Sequence, residues 1–409
     1  MTKSYRPNAW ATIFLPFALG YYLSYLLRTV NAVISPDLTR DLSLSAADLG
    51  LLTSAYFLTF GFAQIPLGIA LDRFGPRRVE GGLLLLAALG AATFALGDSL
   101  MHLGLARGLI GLGVSACLMA GLKGFAMWYP PERQSSMTGY IMAAGALGAL
   151  TASAPVEAFL PFVGWRGIFW IIAAIAAAIS AFIFIAVPEE AEHRSTESIG
   201  GAMRSVAHIF SSPAFLRMAG SAMFFTGGFM ALQSLWAVPW LMNNNGMSLT
   251  RAAAHLMILN FGMLAGQVSI GVLGTRLARR GVTPLRMMQI GFSAMLGVQV
   301  LILTDIGPVA VLWFALGVLS SVNAQAYIAT ASNFPREAFG RVSTAINLMA
   351  FFGAFGVQWG LGVVLDALQA SGWSLPDSLV AAYAALIAVQ AASLVPLMRQ
   401  GRARVAQTN

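Results

Sequence analysis

Charge is what the 409-residue sequence has least of. Asp, Glu, Lys and Arg together make up 10% of the chain, where a soluble domain carries roughly a quarter, so a water-soluble fold is excluded. Cysteine is nearly absent. The single Cys117 sits in an apolar run, which rules out an intrachain disulfide and leaves no thiol pair for metal or redox chemistry. All but two of the 24 basic residues, Lys3 and Lys123, are arginine. The net charge of +8 would elsewhere point to nucleic acid, but no polar, lysine-rich region is present to make phosphate contacts. Catalytic patterns are also missing. There is no Gly-x-Ser-x-Gly elbow, no phosphate loop and no His-Glu-x-x-His, and the four histidines (102, 193, 208 and 255) are scattered, so neither an enzyme nor an ATPase is expected. The 19 methionines include no pair four residues apart, which denies a soft metal its ligand geometry. No metal and no cofactor are expected.

What the sequence does have is hydrophobic residues, 58% of the total, arranged in long runs. About 20 apolar residues in a helix cross a hydrocarbon core. Cutting the chain at charged, Pro-rich and Asn-rich breaks gives twelve such runs, near 11–35, 48–71, 79–97, 101–127, 135–160, 166–187, 215–242, 251–274, 284–304, 308–331, 341–366 and 378–398. The fold class is therefore an all-α integral membrane protein with twelve transmembrane helices. The run after Lys3 and Arg6 reads as a first span, because it is long and no small-residue cleavage site follows it. Short arginine-rich loops stay in the cytoplasm. With the N-terminus inside, 18 of the 24 basic residues fall on that side, three (Arg40, Arg166, Arg251) on the other and three (Arg28, Arg107, Lys123) within spans. That sorting predicts an inner (cytoplasmic) membrane protein with both termini cytoplasmic.

A polar interruption from Pro188 to about Ser212 divides the chain into an N-terminal six-helix bundle (1–188), a cytoplasmic linker (189–212) and a C-terminal six-helix bundle (213–409). The linker reads as solvated, with a short amphipathic surface helix as the alternative. The two bundles resemble each other. LSLSAADLG from Leu42 matches MSLTRAAAH from Met247, Gln64-Ile-Pro-Leu-Gly68 matches Gln267-Val-Ser-Ile-Gly271, and Tyr129-Pro130-Pro131-Glu132 matches Phe334-Pro335-Arg336-Glu337. Offsets of 203 and 205 residues imply a duplication, and parallel repeats of this kind carry their substrate near the midplane between the halves.

The loop after the second span reads Gly68-Ile-Ala-Leu-Asp72-Arg73-Phe-Gly75-Pro-Arg77-Arg78, and the fourth span carries Arg107-Gly-Leu-Ile-Gly111-Leu-Gly113. Both resemble signatures of the major facilitator superfamily. With twelve spans and a central linker, the resemblance covers essentially the whole chain and implies two pseudo-symmetric bundles that rock about a central substrate. It also implies a conformational latch at Asp72, Arg73, Gly75 and Arg77. In the second half Thr275 replaces the aspartate while Arg276, Arg279 and Arg280 remain; Asp72 as a purely topological residue is the alternative.

A charge inside a membrane marks a functional site by default. On the first span Tyr21, Ser24, Tyr25, Arg28, Asn31 and Ser35 recur at spacings of three and four, so they share one face, with Arg28 about 7 Å beyond the midplane. Arginine offers a planar, permanently charged fork that suits a carboxylate or phosphate. The offset of 205 sets Gln233 against Arg28, on a face that continues with Trp236 and Trp240. Positive charge on one side and an aromatic, neutral surface on the other fit an organic anion. Arg107 is assigned to structure or gating, and Lys123 to the headgroups or to the departing anion. No span has a carboxylate near its centre, so expulsion of cations is disfavoured, and Gly145-Ala-Leu-Gly148 through Pro155 lacks the Gly-Pro core of the drug-antiporter signature, which also weighs against drug export. Protons, if they drive uptake, travel on the anion or on Glu157.

The expected activity is proton-coupled symport of a small organic anion, with Arg28, Tyr21, Tyr25, Asn31, Gln233, Trp236 and Lys123 at the substrate and Asp72, Arg73, Gly75, Arg77, Arg107 and Arg276 in gating. The alternatives are an exporter of amphipathic compounds and a transport-inactive sensor. Expected partners are an anionic small molecule, the lipid bilayer and protons, without nucleic acid, for a monomeric chain.

Overall fold

The computed structural model describes residues 9–189, 199–335 and 339–406. Apart from caps and short turns the described chain is helical. A π turn (Trp10–Phe14) leads into α1 (Leu15–Leu42), followed by α2 (Ala46–Leu96), α3 (Leu100–Gly113), α4 (Cys117–Trp128), α5 (Pro131–Thr151), α6 (Ala154–Ala186) and α7 (Ile199–Phe210). The remainder is α8 (Pro213–Ala231), a π turn (Leu232–Trp236), α9 (Ala237–Asn243), α10 (Leu249–Arg279), α11 (Pro284–Leu303), α12 (Val309–Ser320), α13 (Ala324–Ala331), α14 (Phe339–Ala370) and α15 (Leu375–Ala406). Among the described residues ten helical stretches are long and apolar enough to cross a membrane. They resolve into twelve traverses. The 51 residues of α2 would measure about 76 Å if straight, and the helix is broken at Gly75, whose φ of 75° lies in the left-handed region that a side chain disfavours. Pro76 then opens the returning limb. The 21 residues of α5, followed by the limb of α6 that ends at Gly164, make the other traverse missing from the ten.

Local sequence explains where the helices start. Proline occupies the first turn of α5, α8 and α11, where its missing N–H leaves nothing unsatisfied. Ser99 caps α3 through the His102 N–H and Thr283 caps α11 through the Arg286 N–H. Ser45 and Asp48 form a reciprocal pair at the start of α2, each side chain accepting from the other's backbone N–H at 3.1 Å. The fourth span is two helices, α3 and α4, separated by Val114–Ala116. The expected linker lies partly at 190–198, outside the described residues; from Ile199 onward it is helical as α7.

The chain divides into two compact units, one from the described parts of Met1–Ser43 and Ala55–Ile199, the other from Leu44–Ser54 and Gly200–Asn409. The first turns of α2 thus group with the second unit. Within each unit the same crossings recur. In the first, Gly111 of α3 lies against the Tyr56 carbonyl of α2 and Gly148 of α5 against the Tyr22 carbonyl of α1. In the second, Gly317 of α12 lies against the Leu259 carbonyl of α10 and Gly353 of α14 against the Met223 carbonyl of α8. A Cβ at any of these positions would strike backbone, which is why small residues line closely packed membrane helices. Gly262 and Gly266 likewise meet the Phe314 and Val318 carbonyls. The similar pair Gly356 and Gly360 has nothing within 4 Å among the described residues. Large exposed apolar side chains such as Leu89, Phe162, Ile185, Val272 and Val311 suit a lipid surround.

Candidate functional site

The polar stripe of α1 is buried. Tyr21, Ser24, Arg28, Asn31 and Ser35 all lie inside the first unit, with Arg28 only 6% exposed. The Arg28 guanidinium carbon stands 4.5 Å from the Tyr25 ring centroid and 5.5 Å from that of Phe60 on α2. Arg28 also donates to the Tyr56 hydroxyl, which in turn donates to the Ser24 carbonyl at 3.2 Å. Tyr21 and Tyr25 meet edge to face at 5.2 Å, and both rings pack on Gly145 of α5. A cation between aromatic faces in a low-dielectric site is held without being neutralised. Such an arrangement keeps its charge available to an anion.

The second unit repeats the position with neutral groups. Gln233, on the π turn between α8 and α9, donates to Asn260 Oδ1 of α10 at 2.6 Å and faces Met263 Sδ at 3.5 Å. Arg28 pairs with Tyr56 and Gln233 pairs with Asn260, at displacements of 205 and 204 residues. The π turn, an irregularity common at functional sites, also carries Ser234, whose hydroxyl donates to Gln358 Oε1 at 2.8 Å, and Trp236, whose Nε1 donates to the Gln358 carbonyl at 3.1 Å. Trp240 meets Tyr383 edge to face.

Call the membrane surface where the described chain begins the entry face. There Lys123 of α4 pairs with Asp72 and donates to the Leu71 carbonyl at 2.8 Å. Arg73 stacks near Phe74, with its guanidinium carbon 5.3 Å from the ring centroid. Arg77 donates to the Phe184 carbonyl at 2.5 Å and reaches Glu189 at 3.4 Å, while Arg78 pairs with the other oxygen of Glu189. Arg276 is exposed in the last turn of α10. The hydrogen bond from Arg78, reinforced by Arg77, holds the Glu189 carboxyl below the usual carboxylate range. A depressed carboxylate contributes above its unfolded value and loses that contribution as pH falls through its folded one. Amide exchange at Val187, corrected for intrinsic rates, should therefore quicken in acid, and Glu189→Gln should abolish that response; identical profiles would show that the tie does not anchor this end of α6.

Arg107 is 1% exposed. It donates to the Leu27 carbonyl at 2.9 Å and lies 4.9 Å from Phe94 and 5.2 Å from Phe169, so it ties the fourth span to α1 one residue before Arg28. Glu157 is half-buried in the first turn of α6, where its N–H donates to the Ser153 carbonyl. At the face opposite the entry face, Trp165 Nε1 donates to Asp41 at 2.9 Å.

Residues that the sequence reading did not single out complete these clusters. Tyr56 and Asn260 are 204 residues apart, within one residue of the offset between Arg28 and Gln233, a signal available in the sequence. Asp366 of α14 accepts from the Ala46 and Ala47 N–H groups, both at 2.9 Å, which sets a carboxylate on the positive end of α2. Asp366→Ala should cost about 1–2 kcal/mol, read as a lower unfolding midpoint in detergent; an unchanged midpoint would show that the clasp contributes nothing. No carboxylate is expected near the centre of a span; Glu80, at the start of the third span on the second limb of α2, is nevertheless fully buried.

A family model described as Major Facilitator Superfamily matches residues 17–358. A probable L-galactonate transporter of Escherichia coli (strain K12) is 29% identical over 168 residues, 41% of this chain and 37% of that protein. A hexuronate transporter of the same strain is 29% identical over 181 residues, 44% of this chain and 42% of that one. The matched stretches span less than half of either relative. The structure of a nucleoside transporter superposes with a TM-score of 0.76 over 94% of this chain and 99% of that one, at 14% identity, which is a likeness of fold. The family model runs through most of the chain and the helical architecture agrees with it: this multi-pass membrane protein belongs to the Major Facilitator Superfamily, a family of membrane transporters rather than enzymes.

Proposed function

We propose that the protein is a secondary transporter of a small organic anion bearing a carboxylate or phosphate, working by alternating access with proton-coupled uptake. The observation that carries this reading is Arg28, buried yet held among tyrosine rings, its planar fork suited to a bidentate carboxylate. Relatives named as galactonate and hexuronate transporters support the same class of substrate. In this reading Tyr21, Tyr25 and Asn31 line the path beside Arg28, while Gln233 and Trp236 offer hydrogen bonds and an apolar face for the uncharged part of the substrate. Asp72, Arg73, Gly75, Arg77, Arg107 and Arg276 serve the conformational change. Lys123 joins them through its pair with Asp72, and Glu157 is a candidate for coupling. Two six-helix bundles, 1–188 and 213–409, joined by 189–212, sit in an inner membrane with both termini cytoplasmic, as the sorting of arginine implies.

The test is a thermal-shift screen of the purified protein against galactonate, hexuronates, sugar phosphates and cationic dyes. Organic anions should raise the midpoint of the wild type and not that of Arg28→Ala. Stabilisation by the cations, undiminished in the variant, would overturn the assignment.

A further inference from the structure

The mechanism above leaves unused the most completely enclosed acid among the described residues. Glu80 is 0% exposed, and neither carboxyl oxygen accepts an N–H or O–H hydrogen bond. Its surroundings come from three helices of the first unit. On α1, Gly20 faces it so closely that a Cβ there would collide with Oε1; the acid fills the space that a side chain would need. On α4, the thiol of Cys117 faces the carboxyl, and a thiol is a weak donor. On α6, Phe184 packs on the neighbouring Gly81 and the Ser180 hydroxyl donates to the Gly81 carbonyl at 2.7 Å; neither side chain titrates. Among the described residues no lysine, arginine or histidine pairs with Glu80. On α1, Arg28 is close enough for its field to reach Cys117.

A carboxylate enclosed by apolar groups and one thiol, with no cation, is far costlier than the neutral acid. Structural carboxylates in membrane helices solve this with a partner. Glu80 has none of the strong ones, yet it is poised directly on α1, two turns from Arg28. Eight residues at the helical rise separate Gly20 from Arg28, about 12 Å.

We propose that Glu80, with Cys117 and the Gly20 notch, and not Glu157, forms the proton-binding site that couples transport. The chemistry is one equilibrium: a proton from water adds to a Glu80 carboxyl oxygen, and the same O–H bond breaks when the proton passes to water. The neutral acid lets α1 seat Gly20 against α2. The ionised form requires water, so it opens that seat and moves the helix that carries Arg28. Substrate engagement at Arg28 and proton occupancy at Glu80 thereby bias one element from two positions. The proposal rests on the transporter reading, but it is tested apart from any substrate.

Infrared difference spectra of the substrate-free full-length protein report the carbonyl stretch of a protonated acid. Between about pH 5 and about pH 9 the wild type should show one such band that appears and disappears reversibly, is absent in Glu80→Gln, and shifts in frequency in Cys117→Ala through loss of the thiol contact. A band that persists unchanged across the range, or one that survives in Glu80→Gln, would overturn the proposal. Transport gives the second readout. In proteoliposomes Glu80→Gln should keep counterflow of radiolabelled galacturonate within about threefold of wild type and lose at least about tenfold in accumulation driven by a pH gradient. Equal accumulation would also overturn it. A titrating Glu80 band in a protein that moves no organic anion would count against the proposed substrate alone.

Discussion

Arg28→Ala should reduce organic-anion transport by at least about a hundredfold, equivalent to about 3 kcal/mol of lost interaction. The size follows from the site. Arg28 is buried, and a charge-assisted pair in low dielectric is worth far more than one at a surface. Arg28→Lys separates charge from shape. The ammonium keeps the positive charge but gives up the fork and the stacking on Tyr25 and Phe60, so an intermediate loss of about tenfold is expected. Arg107→Gln is the useful comparison. Its bond to the Leu27 carbonyl and its stacking on Phe94 and Phe169 serve packing, so that variant should lose thermal stability and keep affinity in the material that folds. Equal losses of affinity in Arg28 and Arg107 variants would mean that both guanidinium groups meet the anion.

Gly111→Val should destabilise the protein by about 3 kcal/mol or more, at the upper end for an overpacked core. A Cβ at this position meets the Tyr56 carbonyl and, at 2.6 Å, the Thr59 hydroxyl. The backbone cannot give way easily, because Thr59 also donates to the Gly108 carbonyl at 2.8 Å. Displacing Tyr56 moves the hydroxyl that receives Arg28, so residual folded protein should bind anions more weakly as well. Gly104, on the same helix with nothing within 4 Å, supplies the control: Gly104→Ala should shift stability by less than about 0.5 kcal/mol. Similar unfolding midpoints for the two variants would show that the crossing of α3 on α2 does not fix the site.

Much of this architecture could be read from residue order because the bilayer restricts what a segment can do. Length and polarity alone identified the traverses, and the period of the polar residues on the first span put Tyr21, Ser24, Arg28 and Asn31 on one buried face. The duplication carried information to the level of single residues, since an offset of 205 sets Gln233 against Arg28 in the sequence. Glu80 was legible only as a charge next to Arg77 and Arg78 at the edge of a span, which reads as headgroup territory. Its burial depends on Gly20, sixty residues earlier, and on Cys117; no periodicity within a helix encodes that meeting. The break between α3 and α4 falls at Val114-Ser115-Ala116, which contains neither glycine nor proline to announce it. The clasp of Asp366 on α2 joins residues some 320 positions apart, and a sequence pattern has no term for such a pair. Gly356 and Gly360 show the converse, a small-residue pair that meets nothing within 4 Å among the described residues.

The central claim is that the buried guanidinium of Arg28 recognises a transported organic anion. Counterflow of radiolabelled galacturonate into proteoliposomes preloaded with the unlabelled sugar acid tests it most directly, because exchange needs substrate recognition and alternation but no driving gradient. The account predicts transient accumulation by the wild type, competition by other hexuronates and galactonate but not by neutral hexoses, and loss of the signal in Arg28→Ala with partial return in Arg28→Lys. Counterflow in Arg28→Ala at the wild-type rate, or competition by the neutral sugars as strong as that by the acids, would contradict it.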